Sequence, residues 1–128
     1  MKPILSILLL LVCAFSHASD HDRCARETLR QAAKYAQTVN TASRLQGGKV
    51  NLLVYEGSLR RFNDNEYAVQ LSSDHGGADS FFARELVLAG RPSVLSCKVR
   101  ELRIYRLRLI TPGAVEWDKL LFASDKGI

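Results

Sequence analysis

From Arg23 to Leu45 the apolar side chains recur at three- and four-residue steps. Ala25, Leu29, Ala32, Ala36 and Val39 form one stripe, widened by Ala33 and Tyr35. That period is the helical one. Asp22 stands where a helix N-cap is expected, and Gly47-Gly48 supplies residues that close a helix in the left-handed conformation without steric cost. The alanine-rich stripe predicts a helix lying close against a sheet.

After the glycines the period falls to two. Val50 to Tyr55 reads as a strand continuing to Leu59, and Arg60 to Asn65 carries the Asn and Asp of a turn. Glu66 to Leu71 alternates, with Tyr67, Val69 and Leu71 sharing one side, and Ser72 to Ser80 has loop composition. Phe81 to Leu88 predicts a third strand, ended by a turn at Gly90-Arg91-Pro92. Ser93 to Leu109 predicts a long fourth strand. Its apolar residues begin at odd positions (Leu95, Cys97, Val99), pass to even ones (Leu102, Ile104), then return to odd ones (Tyr105, Leu107, Leu109). Bulges near Arg100–Glu101 and near Tyr105 would keep all of them inward. Thr111-Pro112-Gly113 ends the strand, and Trp117, Leu120, Leu121 and Phe122 predict a short final helix or strand.

The expected fold is therefore α+β, an N-terminal helix packed across a four-stranded antiparallel sheet. This element order resembles that of cystatin-type folds in topology only. The glutamine-initiated Val-x-Gly hairpin by which cystatin inhibitors enter proteases is absent; the nearest segment, Leu52 to Gly57, lacks the glutamine and lies within a strand.

Ahead of the helix, Lys2 precedes the apolar run Ile4 to Phe15, and Ser16-His17-Ala18 offers small residues where a signal peptidase reads them. The arrangement predicts a cleaved secretory signal over residues 1–18 and a single small domain over residues 19–128. As a helix the run would cover only about 18 Å of a roughly 30 Å hydrocarbon core, and nothing later in the chain is apolar enough to span one. The mature chain is thus expected to be exported, periplasmic or secreted. It would retain two cysteines, Cys24 and Cys97, which in an oxidising compartment predict one disulfide.

The 128 residues are too few for a multidomain enzyme, and 47% hydrophobic with 24% charged residues is ordinary globular composition. No Gly-x-Ser-x-Gly elbow, phosphate-binding glycine loop or His-Glu-x-x-His helix occurs, and no cofactor motif is present. His75 between Asp74 and Asp79 carries the alternative reading, a small metal-dependent hydrolase. Cleavage after Ala18 would expose Ser19-Asp20-His21, whose α-amine, two amide nitrogens and imidazole suit square-planar Cu(II) or Ni(II).

Charge gives the clearest functional lean. Arg91, Lys98, Arg100, Arg103, Arg106 and Arg108 accompany one acid, Glu101, between positions 91 and 108, a net +5, whereas the rest of residues 19–128 holds 11 basic and 12 acidic side chains. With the apolar residues inward, Lys98, Arg100, Arg106 and Arg108 are expected to project together as a basic stripe, with Arg103 on the same strand. A binding module engaging an anionic macromolecule or another envelope protein follows from it. Nucleic acid fits poorly, because Tyr105 alone interleaves an aromatic ring with the cations. The same arginines could instead deter edge-to-edge pairing, or pair with Glu56, Glu66 and Glu85 on neighbouring strands.

Overall fold

The computed structural model describes residues 2–73, 83–111 and 114–128, with side chains from Arg23 onward except Phe62 and Leu109. One helix, α1 (Lys2–Leu45), packs against a curled antiparallel sheet of β1 (Leu52–Asn63), β2 (Glu66–Ser73), β3 (Arg84–Pro92), β4 (Cys97–Thr111) and β5 (Ala114–Ser124). The strands follow one another in order, β1-β2-β3-β4-β5, so every connection joins neighbours. The sheet thus has five strands among the described residues rather than four. The apolar tail around Trp117 pairs with β4 along its length and completes the sheet.

Helix α1 runs unbroken through Asp22, which is therefore an interior residue and not an N-cap. Its C-terminus is as expected. Gly47 adopts φ 77°, and the amides of Gly48 and Gly47 donate to the carbonyls of Ser43 and Arg44, closing the last turn in a Schellman motif. Cys24, Thr28, Gln31, Ala32 and Ala36 are buried, while Ala33 is exposed and Ala25, Leu29 and Val39 are only partly covered. The buried stripe is thus rotated slightly from the apolar one. The Thr28 hydroxyl fits inside because it donates to the Cys24 carbonyl at 2.7 Å. Asn40 clamps the helix to the edge strand, accepting from the Leu52 amide at 2.6 Å and donating to its carbonyl at 3.1 Å.

Opposite the helix stripe lie Leu52, Tyr67, Val69, Leu71, Leu86, Leu88, Leu102 and Ile104. The register accounts for this set. Tyr67 pairs with Leu88 and Leu88 with Leu102, while Val69 pairs with Leu86 and Leu86 with Ile104. Between Gly90↔Val99 and Ala89↔Glu101 the extra residue is Arg100, the bulge expected from the parity change. The second expected bulge is different. Pairing of β3 with β4 runs unbroken through Tyr105, and the extra residues there, Leu121 and Asp118, belong to β5. Tyr105 and Leu107 consequently face away from the helix.

Two turns also move. β1 continues through Arg60 to Asn63, with Glu56–Leu59 bulging out against Val69 alone. The β3–β4 hairpin closes at Ser93–Ser96, where the Ser93 amide donates to the Ser96 carbonyl at 2.7 Å, and not at Gly90–Pro92. At the far end of the chain Ile128 folds back on α1, its amide donating to Gln31 at 2.7 Å and its carbonyl accepting from Lys34 at 3.0 Å.

Candidate functional site

The disulfide joins Cys24 and Cys97, with Cα atoms 4.8 Å apart. It fastens α1 to the first residue of β4, beside the β3–β4 turn. Gly90 makes this possible, because a Cβ there would lie 2.9 Å from the Cys97 sulfur and 3.0 Å from the Lys98 carbonyl. Two basic segments are thereby brought together. Residues 23–30 contribute Arg23, Arg26 and Arg30, one helical face apart by three and four residues, and residues 91–100 contribute Arg91, Lys98 and Arg100. Among these six cations the two segments hold a single carboxylate, Glu27. It pairs with Arg30, whose guanidinium holds the Glu27 carboxyl below its ordinary range. A cleft of about 410 Å³ lies between the segments, lined by Arg23, Arg26, Glu27 and Arg30 of the helix and by Leu95, Ser96 and Cys97 of the hairpin.

Arg91 and Lys98 stand directly opposite each other across β3 and β4. Both are exposed, and neither joins an acidic group among the described residues. Like charges in that position repel. At the tip of the same hairpin Val94 and Leu95 are 86% and 91% exposed.

The expected stripe of Lys98, Arg100, Arg106 and Arg108 does not form. The bulge at Arg100 reverses the parity of the strand, so Lys98 faces away from the helix while Arg106 and Arg108 lie on the helix side. The cations beyond the bulge are also engaged. Arg103 pairs with Glu66 and with Glu101, both at 2.8 Å, Arg106 with Asp118 and Arg108 with Glu116. Pairing with Glu66 was foreseeable; Glu101 of β4 itself and the β5 acids Glu116 and Asp118 supply the rest. Glu85 is taken by another arginine.

That pair lies on the sheet face away from the helix. Glu85 is 1% exposed, and its carboxylate accepts from both terminal nitrogens of Arg60 at 2.8 and 2.9 Å and from the Trp117 indole at 2.9 Å. The Gln70 amide reaches it at 3.4 Å. Tyr105 stacks on Trp117 with ring centroids 4.2 Å apart. The network lines a second hollow of about 270 Å³, with Leu107, Val115 and Glu116. Its charges are compensated internally, so it offers no unbalanced charge to an ionic ligand.

In the uncleaved chain Ser19, Asp20 and His21 fall within the continuous helix α1, and their side chains lie outside the described residues. Asp74, His75 and Asp79 also lie outside them. No family model matches the chain, and no curated protein or solved structure matches it either.

Proposed function

We propose that this chain is a small exported binding module whose disulfide-clamped basic end engages an anionic partner. The cross-strand pair Arg91–Lys98 carries the reading. Two cations held opposite each other, with no carboxylate joined to either among the described residues, cost stability in the isolated chain, and that cost is offset when an anion bridges them. The neighbouring cations of residues 23–30 and Arg100 extend the field in which such an anion would sit. Export is supported by the disulfide, which fits an oxidising compartment, and removal of residues 1–18 belongs to the same proposal. From Arg23 onward, where side chains are described, no helix is long and apolar enough to cross a membrane.

Retention on immobilised heparin across a salt series tests the reading. The double variant Arg91→Gln/Lys98→Gln should elute at lower salt than the wild type. Arg106→Gln/Arg108→Gln, which removes cations already paired with Asp118 and Glu116, should elute nearer the wild type. Equal loss in both variants would show that only net charge is being read, and no retention of the wild type would end the proposal.

A further inference from the structure

We infer that the anionic partner is a lipid bilayer surface, entered by the hairpin tip Val94–Leu95. The inference rests on the binding reading above and adds the chemistry of the partner. Val94 and Leu95 are adjacent, stand at the apex of a closed hairpin and are 86% and 91% exposed. Behind the apex the cations occupy both sides. Arg91 and Lys98 face away from the helix, while Arg23, Arg26 and Arg30, the last paired with Glu27, line the cleft on the helix side together with Leu95.

This order of groups, apolar first and cationic behind, matches the order met on entering an anionic leaflet from outside. The apolar pair reaches the boundary of the acyl chains while the guanidinium and ammonium groups remain at the phosphates. A sulfated glycan or an acidic peptide would satisfy the cations but leave Val94 and Leu95 in water. The Cys24–Cys97 disulfide makes the tip a firm wedge, because it anchors the first residue after the turn to the helix.

The test compares binding of the chain to vesicles of phosphatidylcholine alone and to vesicles containing phosphatidylglycerol, with heparin retention measured in parallel. Residues preceding Arg23 are identical in all variants, so their contribution is common to every arm. The wild type should bind the anionic vesicles and not the neutral ones. Val94→Ser/Leu95→Ser alters only side chains that are already exposed, and should weaken anionic vesicle binding by about tenfold or more while leaving heparin retention intact. Arg91→Gln/Lys98→Gln should weaken both, with about fivefold lost from vesicle binding per cation. Vesicle binding by Val94→Ser/Leu95→Ser equal to that of the wild type would overturn the inference. Heparin retention without vesicle binding would overturn it too, and would leave a glycan or an acidic protein as the partner. Failure to bind either probe would bring down the binding reading itself.

Discussion

Glu85 shows how one carboxylate can be buried in a small chain. Removed from water alone it would be strongly destabilising; here Arg60 meets it with a two-pronged contact, and Trp117 and Gln70 direct further donors at it. The partners differ in solvation, since the Arg60 side chain is 47% exposed and that of Glu85 2%. Arg60→Ala therefore strands a buried charge, and should destabilise the fold by about 3 kcal/mol in urea titrations. Arg108→Ala, which breaks an ion pair between exposed side chains, should leave the midpoint nearly unmoved. Equal losses would mean that the Glu85 network is not structural. Tyr35 gives a pH dependence. Burial pushes its phenol above the ordinary 10.0, against a smaller opposing effect of Arg84, so the folded chain keeps its proton where the unfolded chain loses it. Stability should be insensitive to this group below the ordinary value and fall as pH rises beyond it. Tyr35→Phe should flatten that alkaline decline while preserving stability at neutral pH, as followed by denaturation at a series of pH values. Little of this was legible beforehand. Glu85 and Arg60 lie 25 positions apart, and the bulge at Glu56–Leu59 sets which side of the sheet Arg60 takes.

Among the elements, β4 shows most clearly what the pattern carries and what it omits. The change of parity at Arg100 was readable because Cys97 and Val99 must share a side with Leu102 and Ile104. The switch at Tyr105 was misread as a second bulge in the same strand. Leu107 is apolar for the opposite face, where the curled sheet also buries Ala68 and Val87, and a one-strand pattern does not distinguish two buried faces. The same ambiguity left β5 undecided between helix and strand, since its mixed exposure follows neither simple period. The pairing of Cys24 with Cys97 was legible by elimination, and its position at the turn was not. Closing 73 residues, it should stabilise the fold by about 4.4 kcal/mol in the chain-entropy account. Cys97→Ser, or reduction of the wild type, should lower the thermal midpoint sharply. An unchanged midpoint under reductant would show that packing alone holds the hairpin against α1.

At the scale of the molecule, the sequence located the excess of positive charge in residues 91–108 but not its division. The half beyond the bulge is neutralised by Glu66, Glu101, Glu116 and Asp118, whereas Arg91 and Lys98 before it join no acidic group among the described residues and stand on the hairpin that the disulfide fastens to α1. That division could not be read from composition, because Arg23, Arg26 and Arg30 are some 70 positions away along the chain and appear there as an ordinary solvated helix face. On the proposed function this end, and neither the paired strands β4–β5 nor the Trp117 hollow, meets the anionic partner. Amide chemical-shift mapping on titration with a short heparin oligosaccharide tests it directly. Perturbations should concentrate at residues 91–100 and 23–30 and diminish with added salt, as expected where cations meet an anion. Perturbations centred on Arg106–Lys119 or on the Glu85–Trp117 network would contradict it.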